Sequence, residues 1–227
     1  MGTWVTRLSG LAAVLFVLGP LLATAGAVTP MRGFSAFGLG GLLGVIALVL
    51  GLISLARGSG GGLGLLVAGA ITAVFLLIAL PGRGFPRIND ISTDLTVPPQ
   101  FVHAPTLPGN QGRDMKYPGA EFAEQQKAGY PDLAGLRLST SPGDTFRKVE
   151  AAAKALPKAE VTHVDASRRA LEGVATSRLF RFQDDFVVEV RPLDGGSIVH
   201  MRSKSRDGKG DIGANAARIR ALLALLQ

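Results

Sequence analysis

The sequence predicts an α-helical membrane anchor of three transmembrane helices followed by an α+β domain, a four-stranded antiparallel meander with helices on one face. Three observations lead to this fold class. Residues 1–81 contain no Asp or Glu and only three arginines, and their apolar runs are long enough to cross a bilayer. Residues 82–227 hold the other 21 Lys and Arg and all 17 Asp and Glu. In that charged region, strand-like runs lie between two segments of helical periodicity.

The composition limits the chemistry that the chain can perform. The 227 residues include no cysteine, carry a net charge of +7 and are 47% hydrophobic, with a mean hydropathy of +0.31. Without cysteine there are no disulfides, thiol nucleophiles or thiolate metal sites. The charged region is long enough to bury one ordinary core, so we expect a single domain there.

The membrane block is predicted at residues 1–81, with transmembrane helices at about 8–28, 37–56 and 63–80. A helix rises about 1.5 Å per residue, so each run can cross a hydrocarbon core of roughly 30 Å. The spans contain no Asp, Glu, Lys, Arg or His, and therefore give no sign of an ion path or a proton relay. We interpret the block as an anchor.

The orientation of this anchor depends on few charges. The arginines that flank the spans slightly favour a topology with the C-terminal region in the cytoplasm, because that topology puts three of them inside and two outside. Against that, the N-terminal segment resembles a signal sequence, with Arg7, then an apolar stretch, then Ala23-Thr24-Ala25. Whether it is cleaved or not, a signal sequence would export the C-terminal region. We expect an integral protein of the bacterial inner (cytoplasmic) membrane with its C-terminal domain on the periplasmic or outer side.

Within the second predicted span, Gly40 and Gly44 have the four-residue spacing of small residues that lets two transmembrane helices approach closely.

Residues 82–132 are predicted to form a Pro-rich, extended linker. Eight prolines occur from Pro81 to Pro131, both included, and the runs between them show no apolar periodicity. Proline fixes its own φ and biases the preceding residue toward extended conformations, so the segment should run stretched and partly stiff. A short helix is expected at 121–129.

The α+β domain is predicted at residues 133–227. Ser141 can cap a helix, Pro142 suits its first position and Asp144 stands where a capping-box acid would, so a helix should run from here to Pro157. The four strand-like runs are about 160–166, 171–182, 186–192 and 198–205. A last helix should run from Asp211 as its N-cap to about Leu226. Its apolar face would consist of Ile212, Ala216, Ile219, Leu223 and Leu226.

The sequence Asp-Gly-Gly-Ser at 194–197 predicts a hairpin between the last two strands, because glycine adopts positive φ at little cost. Pairing the two ends of this turn sets Val190 opposite Met201 and Glu189 opposite Arg202. The apolar pair and the ion pair then fall on opposite faces, as a half-buried sheet requires.

The candidate site is the segment 202–219, where the last strand passes through a glycine-broken loop into the last helix. Its glycines leave backbone N–H groups accessible and the helix presents its positive end, so an anion could bind there. The candidate ligand-binding residues are Arg202, Ser203, Lys204, Ser205, Arg206, Asp211, Asn215 and Arg218, with Asp184 and Asp185 as possible acidic contributors. The alternative is structural: Arg202 pairs with Glu189, Asp211 caps the last helix, and Asn215 and Arg218 tie that helix to the loop.

Other chemistry finds little support in the sequence. Asp184 and Asp185 are adjacent acids between two strands, and such acids are more often turn formers than a catalytic or metal pair. The three histidines are far apart and have no metal spacing. Residues 208–213 match GxGxxG in letters, but no parallel strand follows, so the βαβ context fails. We assign no catalytic residue, and expect no cofactor and no metal.

Several of these runs recur together in one family. They are FPRINDISTD at 85–94, PPQF at 98–101, YPDL at 130–133, FRFQDD at 180–185, and RSKSR at 202–206 with Gly208, Asp211, Gly213, Asn215, Arg218 and Ile219. In these runs the chain resembles the bacterial domain of unknown function 1499 family. The resemblance implies a variable membrane anchor followed by this domain, and no assigned activity. Members usually have an acid where His200 stands and an aliphatic residue where Asp207 stands.

These observations favour an integral membrane protein that presents a small α+β domain at the envelope surface. We expect a binding or interaction module whose partners are the lipid bilayer and an anionic small molecule, lipid headgroup or envelope polymer. The first alternative is a membrane-tethered, hydrolase-like enzyme that uses Asp184, Asp185 or Asp211 with Arg206. The second is a purely structural envelope protein. Nucleic acid is not expected as a partner, because the charges of the domain are too mixed in sign.

Overall fold

The computed structural model describes residues 2–59 and 62–227, which fall into two compact units. The first unit is Met1–Gly84 with Arg178–Arg181, and the second is Phe85–Ser177 with Phe182–Gln227. Each unit has its own set of secondary-structure elements and is described separately.

The first unit contains three helices, α1 (Gly2–Thr24), α2 (Pro30–Ala56) and α3 (Gly62–Ala79). Each is long and apolar enough to cross a membrane, which confirms the three helices predicted from the sequence. Helix α2 begins seven residues before the predicted span. The reason is local: the side chain of Thr29 accepts a hydrogen bond from the N–H of Arg32, and Pro30 occupies the first helical position.

Glycines set how closely these helices approach. A Cβ added to Gly40 would lie 2.6 Å from the backbone nitrogen of Phe16 in α1. A Cβ added to Gly44 would lie 2.6 Å from Cγ2 of Ile71 in α3. The two glycines of the predicted contact motif therefore face two different helices, and each permits one close approach.

The second unit is built on a six-stranded antiparallel sheet, where the sequence predicted four strands. Its strands are β1 (Asp90–Ser92), β2 (Leu136–Leu138), β3 (Ala159–Asp165), β4 (Ala170–Thr176), β5 (Gln183–Leu193) and β6 (Gly196–Ser205). They are ordered β1-β6-β5-β4-β3, and β2 also pairs with β6. The helices of this unit are α4 (Ala120–Gly129), α5 (Pro142–Ala155) and α6 (Ala214–Ala224), with short 3-10 turns at Ala104–Thr106 and Pro108–Asn110. A further 3-10 turn, Pro81–Gly84, belongs to the first unit.

The two faces of the sheet are covered differently. Helices α5 and α6 pack on one face, in a core that includes Phe186 and Met201, both 0% exposed. The other face contributes Val187 to a smaller cluster with Phe101, Ala104 and Met115. Residues from the predicted linker therefore cover a sheet face. The segment 82–132 also contains β1 and α4, and from Phe85 onward it belongs to the second unit, which differs from the predicted extended linker.

The hairpin of β5 and β6 forms with a register two residues away from the predicted one. Leu193 pairs with Gly196, so the turn is the two-residue Asp194-Gly195, and Gly195 has a φ of 78°. Glu189 consequently pairs with His200 and Val190 with Val199, so the predicted pairings of Glu189 with Arg202 and of Val190 with Met201 are wrong. A shift of two residues preserves the face on which each side chain lies, so Val190 and Met201 still lie on the face opposite to Glu189 and Arg202. The second face is covered as well, so the sheet is not half-buried as predicted.

Candidate functional site

The candidate residues on β6 divide between the two faces of the sheet, because successive side chains of a strand point in opposite directions. Arg202 pairs with Val187, and Lys204 pairs with Asp185. These residues lie on the face of the sheet that is covered by residues of the segment 82–132, which the sequence predicted to be a linker. Ser203 and Ser205 lie on the face that packs against α6. The motif therefore supports two separate side-chain networks.

The first network centres on a fully buried ion pair. Arg202 is 0% exposed, and its Nε and Nη2 donate to Oδ1 and Oδ2 of Asp90, each at 2.8 Å. Lys204 Nζ donates to the same carboxylate at 2.9 Å. The guanidinium carbon of Arg202 lies 4.9 Å from the ring centroid of Phe101 and 5.5 Å from that of Tyr117. Burial, with the nearby Asp90 charge, raises the pKa of Tyr117 to about 12.

Arg206 forms a second bidentate pair at the end of β6. Its Nε donates to Oδ2 of Asp185 at 2.9 Å and its Nη2 donates to Oδ1 at 2.6 Å. The third nitrogen, Nη1, donates to Oε1 of Gln183 at 2.8 Å. Asn110 Nδ2 also donates to Asp185, at 3.0 Å. Both charges of the pair are thus fully engaged within the fold.

The second network joins α6 to the sheet. Arg218 Nη2 donates to Oδ2 of Asp184 at 2.6 Å, and its Nη1 donates at 2.7 Å to both Ser203 Oγ and Asn215 Oδ1. Asn215 Nδ2 donates to Ser205 Oγ at 2.9 Å. Ser203, Ser205 and Asn215 are buried, so these hydrogen bonds satisfy polar groups that would otherwise be costly in the interior.

The N-cap of α6 is Gly213 and not the predicted Asp211, but the Asp211 carboxylate still accepts hydrogen bonds from backbone N–H groups at the start of the helix. Its Oδ1 accepts from the N–H of Gly213 at 3.0 Å and its Oδ2 from the N–H of Asn215 at 2.7 Å. Burial raises the pKa of Asp211 above its usual range, although these N–H groups oppose the shift. Ile212 does not join the apolar face that the sequence predicted. It is 56% exposed, with a φ of 51°.

The interpretation of Asp184 and Asp185 as turn formers is wrong. Both lie in β5, opposite Ser205 and Lys204, and both are buried. Strand β4 ends at Thr176, before the predicted end at 182, so the connection between β4 and β5 precedes the acids. Each of the three acids of the hydrolase-like alternative thus has an internal partner: Asp184 has Arg218, Asp185 has Arg206, and Asp211 has the start of α6.

Sequence reasoning missed Asp90, the acid that neutralises Arg202. It lies 112 residues earlier in the chain, and β1, which carries it, has only three residues. No periodicity can be recognised in so short a strand. The available signals were the density of polar residues around it in the predicted linker and its place in the run FPRINDISTD at 85–94, one of the runs that carry the family resemblance.

Two clefts border these networks. One, of about 390 Å³, lies beside α6 and is bounded by Asp184 and Arg218 and by small residues, which are Ala175, Ala214, Ala217 and Ala221. The other, of about 450 Å³, lies beside Arg206 and is bounded by Gly109, Glu160, Thr162 and Gln183. Lys158 borders both clefts.

Lys158 has an unusual backbone conformation for its residue type. It follows Pro157 after α5 and has a φ of 60°, in the left-handed region that non-glycine residues rarely adopt. Its side chain is exposed and forms no hydrogen bond or ion pair with the residues that the structure describes. No sequence pattern singled it out, because one surface lysine between a helix and a strand is commonplace.

Two of the three histidines, which are far apart in sequence, contact each other in the fold. The rings of His103 and His163 stack at 4.9 Å between centroids, with an angle of 18° between their planes. His200 is 8% exposed, and its Nδ1 lies 3.3 Å from Thr93 Oγ1. Within residues 2–59 and 62–227, no three His, Cys, Asp or Glu side chains group where they could hold a metal ion.

Comparison with known proteins gives one family and one solved structure. The sequence pattern of a family described as "Protein of unknown function (DUF1499)" matches residues 90–226, which is more than half of the chain. The crystal structure of protein CV1439 from Chromobacterium violaceum is similar over 40% of this chain and 91% of its own. That similarity has 16% sequence identity and a TM-score of 0.27. A comparison with curated proteins found no match.

Proposed function

We propose a function for this chain, which belongs to the DUF1499 family of proteins of unknown function: a membrane-tethered module that binds a small anionic ligand. The ligand would be a phosphate-bearing small molecule, a lipid headgroup or an acidic fragment of an envelope polymer. The three apolar helices are the tether, and the α+β domain carries the binding cleft.

The observation that carries this proposal is the free cation at the shared border of the two clefts. The four cations that the sequence singled out already have carboxylate partners at 2.6–2.9 Å; they are Arg202, Lys204, Arg206 and Arg218. Lys158 has none among the described residues. A non-glycine residue at positive φ costs free energy, and such residues cluster at functional sites. An incoming anion would give Lys158 the partner that the fold does not supply.

The cleft beside α6 has the composition of a small-molecule site. Its volume of about 390 Å³ falls in the range of ligand pockets, which are mostly apolar with a few polar groups. Here the alanines provide the apolar wall, while Lys158, Thr176 and Ser177 provide charge and hydrogen-bonding groups. The Asp184–Arg218 pair lines the same cleft and holds α6 in position.

We place the protein in the bacterial inner membrane with its domain on the periplasmic side. The support for this location is the run of Arg7, apolar residues and Ala23-Thr24-Ala25, which has the order of an export signal. An anionic ligand at an envelope surface is consistent with a domain held close to lipid headgroups.

The test is thermal unfolding of the full chain in detergent, followed by circular dichroism, with inorganic phosphate, glycerol 3-phosphate and glucuronate as probes. A probe at about 100 times its Kd should stabilise the folded chain by about 2.7 kcal/mol. Lys158→Gly should abolish this response while raising the stability of the free protein, because glycine adopts positive φ without strain. Lys158→Arg, which retains the charge, should keep the response. The proposal fails if no probe stabilises the wild type, or if Lys158→Gly responds as the wild type does.

A further inference from the structure

The loop between β6 and α6 carries a strained, exposed apolar residue. Ile212 is β-branched, has a φ of 51° and is 56% exposed. A β-branched side chain at positive φ is a true outlier, and here its side chain gains little burial in return. The fold holds an apolar group out into solvent, an arrangement that is explained if the group contacts something outside this domain.

Ile212 belongs to a larger surface. Phe85 is 39% exposed, and its ring lies so close to Gly213 that a Cβ there would be 2.6 Å from Cε1. A Cβ on Gly210 would be 3.4 Å from Cα of Arg87, so the loop and the start of the domain are adjacent. We call the surface formed by Phe85, Arg87, Lys209 and Ile212 the apolar–basic patch.

The charges of the apolar–basic patch are available to an outside partner. Arg87 and Lys209 are exposed, and neither forms an ion pair within the part of the chain that the structure describes. The acids of the same loop are Asp207, which is partly buried, and Asp211, which accepts hydrogen bonds at the start of α6. Exposed aromatic and aliphatic groups beside unpaired cations are the combination that binds the interface of an anionic membrane.

The length of the connecting chain limits where this surface can be. Helix α3 ends at Ala79, and Phe85 follows six residues later. Six residues span at most about 22 Å when fully extended, at 3.3–3.6 Å each. If α3 crosses the membrane, Phe85 must therefore remain within about 22 Å of the end of that helix. We propose that the apolar–basic patch docks on the anionic lipid surface of the bilayer in which the helices are anchored.

The chain contains no cysteine, so one introduced cysteine can be labelled specifically. Ile212→Cys would carry an NBD fluorophore in the full chain, reconstituted in nanodiscs of phosphatidylcholine with or without phosphatidylglycerol. The matched control is Val97→Cys. Val97 is 61% exposed. Its carbonyl oxygen accepts a hydrogen bond from Arg191, which places it near the β5–β6 turn. That turn lies at the opposite end of the strands from the loop that contains Ile212. Spin-labelled lipids would quench the fluorophore wherever it touches the bilayer.

We expect lipid quenching at position 212 to be at least threefold stronger than at position 97, and stronger with phosphatidylglycerol than without it. Arg87→Gln with Lys209→Gln should reduce quenching at 212 to its value in pure phosphatidylcholine, and Asp207→Asn should increase it. Equal quenching at 212 and 97 would overturn the docking surface. Equal quenching at 212 in both lipid compositions would overturn the preference for anionic lipid. Neither result depends on the ligand cleft, because no residue of the patch lines it.

Discussion

At the residue scale, Asp90 balances Arg202, the most buried cation among the described residues of the domain. It neutralises Arg202 and Lys204, and its own side chain is 0% exposed. We predict that Asp90→Asn lowers the free energy of unfolding by about 3–5 kcal/mol, because it leaves a buried guanidinium without its counter-charge. The measurement is chemical denaturation of the full chain in detergent, followed by circular dichroism.

The matched control for Asp90 is Asp132, which pairs with Arg220 on the surface. Its side chain is 54% exposed, and that of Arg220 is 44% exposed. Asp132→Asn should cost no more than about 1 kcal/mol, the usual contribution of a surface ion pair. Comparable losses for the two variants would mean that burial of the Asp90 pair does not determine its effect on stability.

His200 should make the stability of the domain depend on pH. Burial, together with the positive charge of Arg191, lowers its pKa in the folded protein, although Asp94 and Glu189 act in the opposite direction. Below about pH 6.5 the unfolded chain therefore binds a proton that the folded chain takes up only at lower pH. Stability should fall as the pH drops from about 6.5 through the folded pKa.

The measurement for His200 is the midpoint of chemical denaturation between pH 7.5 and 5, in the wild type and in His200→Asn. The variant cannot titrate, so its midpoint should fall less steeply over this range. Equal slopes for the two proteins would assign the loss of stability to groups other than His200. Asp211 would not be one of them, because a carboxyl whose pKa is raised in the folded protein makes stability rise as the pH falls.

At the scale of elements, the sequence predicted the faces of the β5–β6 hairpin but not its register. The face on which a side chain lies follows from the alternation of side chains along the strand, and a shift of two residues does not change it. The register depends instead on which glycine of the turn adopts positive φ. Gly195 takes it here, while Gly196 lies in β6 beside β2. Strands β1 and β2 were not predicted because three residues have no recognisable period. Their pairing with β6 is a tertiary effect.

Gly196 gives a direct test of the β2–β6 pairing. A Cβ at this position would lie 2.0 Å from the backbone oxygen of Leu138, and backbone atoms cannot move aside as a flexible side chain can. Gly196→Ala should therefore lower the free energy of unfolding by about 1–3 kcal/mol. Gly143→Ala is the control, since nothing lies within 4 Å of its added Cβ in α5, and it should stabilise by about 0.4–1 kcal/mol. Denaturation midpoints that shift by the same amount in both variants would contradict this account of the β2–β6 contact.

At the scale of the whole molecule, the sequence was most informative where a physical constraint acts over long stretches. A bilayer demands about 20 apolar residues per helix, so the three spans of the first unit could be predicted from composition alone. The candidate site depends instead on pairs such as Asp90 with Arg202 and Asp184 with Arg218, which are distant in sequence. Such partners are fixed by topology. Lys158 became a candidate only after the cations of the predicted site were found to have carboxylate partners within the fold.

The orientation of the chain in the membrane depends on the positive charges in the connections between its helices. A C-terminal alkaline phosphatase fusion should be active and a C-terminal GFP fusion dark if the domain is exported as we propose. In that orientation the connection between α1 and α2 lies outside and the one after α2 lies inside, so added positive charge should have opposite effects at the two places. Ala27→Lys with Val28→Lys should lower phosphatase activity by opposing export of the first connection, whereas Ser59→Lys should leave it unchanged or raise it. A fluorescent GFP fusion with an inactive phosphatase fusion would reverse the orientation, and the apolar–basic patch would then face the cytoplasmic leaflet.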